Sequence, residues 1–106
     1  MTEKPKSKPK EHKITITDEV WKEMRIQAAL EGTSATALCE YVLSHYVDLP
    51  AEQKPPNRSF SGPSKKRSVY LLRNTWAKLV ECSIDEDRPI SHIAEQQLRA
   101  YLGMLD

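Results

Sequence analysis

The chain has 106 residues, room for one ordinary domain or two very small ones, and its 16 Lys and Arg against 15 acidic residues leave a net charge of +1. No apolar run approaches the roughly 18 residues of a membrane span, and the charged N-terminus has no apolar segment behind it, which speaks against a signal peptide. Cys39 and Cys82 are the only cysteines, and His12, His45 and His92 have no partners at metal-ligand spacing. Reduced thiols in a cytoplasmic protein are therefore expected, with no zinc site and no cofactor.

Charge is unevenly placed. Residues 1–13 sum to +3 and residues 50–68 to +4, whereas 14–49 and 69–106 come to −4 and −2. Basic segments thus lie just ahead of two short alternating stretches, and such segments draw phosphates even in a near-neutral protein.

In chain order, "MTEKPKSKPKEHK" is low in complexity, and residues 1–12 are expected to be a disordered basic tail. Lys13–Thr17 alternates polar and apolar side chains and predicts a strand. Thr17 then precedes Asp18 and Glu19, an N-cap with acids in the first turn, which opens a helix over Asp18–Glu31. Gly32 suits the left-handed residue that ends it. Ser34 caps a second helix whose apolar face is Ala35, Leu38, Cys39, Val42 and Tyr46. Residues 50–66, rich in Pro and polar side chains, read as a flexible basic linker. Ser68–Leu72 predicts a second strand, and Trp76, Leu79, Val80, Ser83 and Ile84 follow helical spacing. Asp87 stands where Gly32 stood, and Pro89 suits the start of a last helix carrying Ile90, Ile93, Ala94, Leu98 and Tyr101.

Shifting the sequence by 55 positions lays Trp21 on Trp76, Glu31 on Glu86, Glu40 on Glu95, Leu43 on Leu98 and Tyr46 on Tyr101, without a gap. Ile14 meets Val69, Ile16 meets Leu71 and Met24 meets Leu79. The matched positions are mostly those that should face inward, so the chain reads as a duplication with copies at 13–49 and 67–106. One strand and two helices of about 40 residues cannot bury an adequate core, and a lone strand leaves its backbone groups unpaired. Both problems vanish if the two strands pair and the four helices pack beneath them. Ile14, Ile16, Val69 and Leu71 then point down, and Lys13, Thr15, Lys66, Ser68 and Tyr70 point up. Trp21 and Trp76 are read as core or rim packing.

"KITITDEVW" and "SVYLLRNTW", strand into helix, and "EGTSATAL" and "DRPISHIA", helix into helix, resemble the ribbon-helix-helix DNA-binding proteins, the superfamily of MetJ, Arc and CopG. The resemblance covers about 75 residues and takes the less common tandem form, as in TraY-like relaxosome proteins. It implies a mainly α fold with a short two-stranded antiparallel ribbon, two tandem β-α-α repeats making one intramolecular pseudo-dimer. It further implies double-stranded DNA as the partner, with self-association where adjacent units touch on DNA, and a nucleoid-associated place in the cytoplasm. In that family the ribbon enters the major groove and its outward side chains read base edges. Carried over, the base-contacting residues are Lys13, Thr15, Ser68 and Tyr70. Phosphates are held at the starts of the second helices, here Thr33, Ser34 and Ala35, and Ile90 and Ser91 after Pro89, with Arg88, Lys66 and Arg67 adding charge.

A sequence-specific repressor is the function expected, with an accessory role in plasmid transfer, partition or transposition as the alternative. An antitoxin is less favoured, since the toxin-binding extension of such proteins follows the second helix and this chain stops at Asp106. Neither a nucleophile–base pair nor a Gly-rich phosphate loop points to an enzyme.

Overall fold

The computed structural model describes residues 8–54 and 60–105. The order is strand, helix, helix, twice over: β1 (Lys10–Thr17), α1 (Asp18–Glu31) and α2 (Ala35–Val47), then β2 (Ser64–Leu71), α3 (Arg73–Glu86) and α4 (Ile90–Leu102). A single turn of 3-10 helix, Ala51–Gln53, follows α2. Most of the described chain is helical, and β1 and β2 form one antiparallel two-stranded sheet. No helix among the described residues is long and apolar enough to cross a membrane.

Local chemistry sets the helix ends. Thr17 accepts from the Val20 amide and Ser34 from the Ala37 amide, each supplying an oxygen to a donor the helix leaves unpaired. Gly32 closes α1 at φ 75° and Asp87 closes α3 at φ 52°, both left-handed. Asp tolerates that region better than most side chains, which is why the second turn works without glycine. Leu72 and Pro89 stand at the cap positions of α3 and α4 and supply no side-chain bond.

Both strands begin earlier than the alternation suggests. Lys10–His12 was expected in the tail and Ser64–Lys66 in the linker, yet all six residues lie in the ribbon. The register explains this. Lys13 pairs with Ser68, and from that rung the apolar half of each strand runs beside the polar lead-in of the other: Ile14 beside Arg67, Ile16 beside Lys65, Val69 beside His12 and Leu71 beside Lys10. The backbone groups of the apolar halves need partners, and the lead-ins provide them whatever their side chains. Residues 1–7 of the expected tail and 55–59 of the expected linker lie outside the described residues. The linker's described parts are packed. Lys54 sits over the Tyr46 ring at 4.7 Å, the Arg99 guanidinium sits over Phe60 at 4.4 Å, and the Asp18 amide donates to the Pro63 carbonyl at 2.8 Å.

Ile14, Ile16, Val69 and Leu71 face down into one core with Val20, Met24 and Ala28 of α1, Leu38, Cys39, Val42, Leu43 and Tyr46 of α2, Leu79 and Cys82 of α3, and Ile93, Ala94 and Leu98 of α4. Trp21 and Trp76 are half-buried at its edge. In α3 the buried stripe is Thr75, Leu79 and Cys82, and Ile84, expected on the apolar face, is 72% exposed. At about 100° per residue Ile84 lies roughly 140° around the helix from Leu79, too far to share its face.

Contacts between the two halves recur at the offset of 55. Glu95 accepts from the Thr17 amide (3.1 Å) and hydroxyl (2.7 Å), while Glu40 accepts from the Leu72 amide (2.9 Å) and the Thr75 hydroxyl (2.8 Å). Tyr46 donates to Glu86 at 2.8 Å and Tyr101 to Glu31 at 2.6 Å. His12 stacks on Trp76 at 3.9 Å, and the Arg67 guanidinium lies 5.7 Å from the Trp21 ring centre. Of the identical pairs in the sequence, Trp21/Trp76, Glu31/Glu86, Glu40/Glu95 and Tyr46/Tyr101 all make these crossing contacts, and Leu43/Leu98 is buried in the core.

Candidate nucleic-acid interface

On the face of the ribbon turned away from the helices three rungs stand clear of the strand–helix junction; a fourth of the same parity, Thr17 opposite Ser64, lies at the junction, where Thr17 is buried. Glu11 stands opposite Tyr70, Lys13 opposite Ser68, and Thr15 opposite Lys66. Strand pleating puts residues two apart on the same side, so the downward anchoring of Ile14, Ile16, Val69 and Leu71 forces these six upward. Tyr70 is 45% exposed despite its size, and Lys13, Thr15 and Lys66 are exposed as well. Ser68 is half-buried because its neighbours close over it. Its hydroxyl accepts from Lys13 Nζ at 3.0 Å and donates to the Glu11 carboxylate. Lys13 Nζ also lies 3.4 Å from that carboxylate. The Ser68 hydrogen bond first, and then the Lys13 ammonium, hold the Glu11 carboxyl below its ordinary range, so it is ionised at neutral pH.

All five residues expected on the upward face are there. Glu11 was missed, although the parity of Lys13 and Thr15 would have found it had the strand been started two residues sooner.

Among the phosphate candidates, the structure separates Lys66 from Arg67. Lys66 lies on the outward face, whereas Arg67 has the parity of Val69 and turns under the ribbon. There its guanidinium is ion-paired with Asp18 and packed on Trp21, with the side chain 17% exposed. Arg88 is also drawn inward. It bonds Glu86 at 3.5 Å and Gln96 at 3.2 Å, and a phosphate contact would require it to leave both.

The starts of the second helices remain open. Thr33 and Ser34 are exposed and Ala35 is half-buried at the head of α2, while Ile90 and Ser91 are half-buried at the head of α4. The first amides of each helix have no intrahelical acceptor and point out along the axis. On the α4 side a cleft of about 190 Å³ joins this helix start to the ribbon, lined by Thr15, Thr17, Ser91, His92 and Glu95, with Phe60, Gly62 and Ser64 completing its wall.

Both cysteines are free and buried, and burial pushes the Cys39 thiol up to about 12. Among the described residues no three His, Cys, Asp or Glu side chains cluster in a way that could hold a metal ion. No family model, curated protein or solved structure matches the chain.

Proposed function

We propose that this chain is a single-chain ribbon-helix-helix pseudo-dimer that binds double-stranded DNA by laying its ribbon in the major groove, and that it acts as a transcriptional repressor. The observation that carries the reading is the outward face itself. Polar, charged and aromatic side chains stand in pairs on a two-stranded ribbon whose other side is anchored in the core by Ile14, Ile16, Val69 and Leu71. A major groove about 12 Å wide admits such a ribbon and presents donors, acceptors and thymine methyls to it. Lys13 and Lys66 donate to guanine, Thr15 and Ser68 donate or accept, and Tyr70 offers a ring and a hydroxyl. The open starts of α2 and α4 suit phosphates on either side, which fix register without reading sequence. The reciprocal contacts at a fixed offset support two tandem units that complete each other's fold.

Repression requires only occupancy of a promoter. An accessory role in transfer, partition or transposition uses the same contacts, so the two readings part only at the location of the site. Sequencing the fragments that the protein retains from sheared genomic DNA tests the proposal. Enrichment of a discrete site at a promoter is the expected result, enrichment at a transfer or replication origin gives the accessory role, and retention no different from bulk DNA contradicts DNA recognition.

A further inference from the structure

We infer that the ribbon reads an asymmetric DNA element in one fixed orientation, and that Glu11 sets the direction by accepting a hydrogen bond from a cytosine amino group. The inference rests on the DNA-binding reading above. It starts from the Lys13–Ser68 rung, which joins two residues 55 apart, the same offset that relates the two halves. That rung therefore lies on the approximate two-fold axis of the ribbon. Two identical strands related by such an axis would present the same pair of side chains at both ends. Here one end rung is Glu11 with Tyr70 and the other is Thr15 with Lys66. The first is anionic and aromatic; the second is cationic and carries a methyl.

The end rungs are four residues apart, about 13 Å at roughly 3.3 Å per residue, so they address different base pairs. An ionised carboxylate only accepts hydrogen bonds, and an ammonium only donates them. In the major groove guanine shows two acceptors, whereas cytosine shows its amino donor; adenine places an acceptor beside its donor. Glu11 is therefore satisfied best by cytosine and opposed by guanine, and Lys66 has the reverse preference. Turning the protein end for end on one sequence exchanges these demands, so only one orientation meets both. The same carboxylate repels phosphates, which weakens attachment to DNA that offers no amino group in return and sharpens discrimination by exclusion as well as by contact. Before DNA arrives, Ser68 and Lys13 hold the carboxylate on the outward face.

Selection of binding sites from random duplexes tests this with the full chain, using wild type, Glu11→Gln and Lys66→Gln, each first checked for an unchanged melting temperature. Wild type should recover a motif without internal two-fold symmetry, with cytosine at the Glu11 end on one strand and guanine at the Lys66 end on the other, so that a single strand reads cytosine at both ends. Glu11→Gln should lose about tenfold in discrimination at the cytosine alone and bind unselected duplex more tightly, while Lys66→Gln should relax only the guanine. A palindrome centred in the footprint of one chain, or an unchanged cytosine preference in Glu11→Gln, overturns the inference and leaves DNA binding standing. Failure of the wild type to retain any duplex overturns both.

Discussion

Glu40 and Glu95 occupy matching positions and do matching work, each accepting two hydrogen bonds at the head of a helix in the other half, but their surroundings differ. Glu95 is 5% exposed and shares its carboxylate with Arg99, 2.8 Å away and itself 8% exposed. Ser44 stands at the position matching Arg99, so Glu40 has no such cation. Glu95→Ala takes away the two bonds at Thr17 and leaves the buried Arg99 guanidinium to the exposed Glu19 carboxylate at 3.3 Å, so it should destabilise the fold by about 3 kcal/mol. Glu40→Ala removes a cap and should cost about 0.5–2 kcal/mol. Equal shifts in urea midpoints would contradict this difference. His12 gives a pH effect of definite sign. Burial against the Trp76 ring, and then the charge of Lys10, lower its pKa below the ordinary 6.5. The unfolded chain therefore takes up this proton more readily than the folded one, and stability present above pH 6.5 declines as acid is added. His12→Phe keeps the stack and should flatten the melting temperature between pH 7 and pH 5.5; an unchanged slope would place that sensitivity elsewhere. These residues were visible in the sequence to different degrees. Thr17 and Ser34 could be read as caps because capping is local. Glu40 and Glu95 were visible only as an identity, since their partners lie 32 to 78 residues away and only the tertiary fold brings them together.

The strand-to-helix units explain why the ribbon is both short and exposed. Each strand has only two buried side chains on its downward face before the helix begins, Ile14 and Ile16 in one and Val69 and Leu71 in the other. That is enough to anchor it when the partner strand supplies the hydrogen bonds. The upward face takes no part in this anchoring, so its side chains can change without disturbing the core. Thr15→Ala and Tyr70→Ala should each weaken binding to the selected site by roughly 1–3 kcal/mol, the usual size of a lost base contact, at an unchanged melting temperature. Fluorescence anisotropy reads the first quantity and circular dichroism the second; wild-type affinity in both variants would remove the ribbon from the interface. Alternation identified the apolar half of each strand but not the polar half. Lys10–His12 and Ser64–Lys66 have little strand character of their own and are recruited by pairing, and Glu11 was lost with them. Helical spacing likewise found Leu79 but admitted Ile84, because a spacing rule accepts any apolar residue near the stripe while packing admits only those that face it.

At the scale of the whole molecule, the two β-α-α units form one core, and neither has a ribbon without the other. The connection between α2 and β2 tethers the partner strand, which favours pairing within a chain over pairing between chains. A single chain of 12.1 kDa should therefore be the folded species in sedimentation, with a melting temperature independent of concentration over a hundredfold range. A midpoint that rises with concentration would show that the strands pair between chains instead. Tethering also lets the two strands differ, as Lys13 differs from Ser68 and Thr15 from Tyr70, whereas one side of each contact between the halves is the same residue in both: Trp21 and Trp76, Glu40 and Glu95, Glu31 and Glu86, Tyr46 and Tyr101. Whether the upward ribbon face meets DNA can be read residue by residue from backbone amide chemical shifts followed during titration with a selected duplex. The largest changes should fall on Glu11, Lys13, Thr15, Lys66, Ser68 and Tyr70 and at the starts of α2 and α4, with the outer faces of α1 and α3 little affected. Changes concentrated on those outer helical faces, with the ribbon silent, would contradict DNA contact through the ribbon.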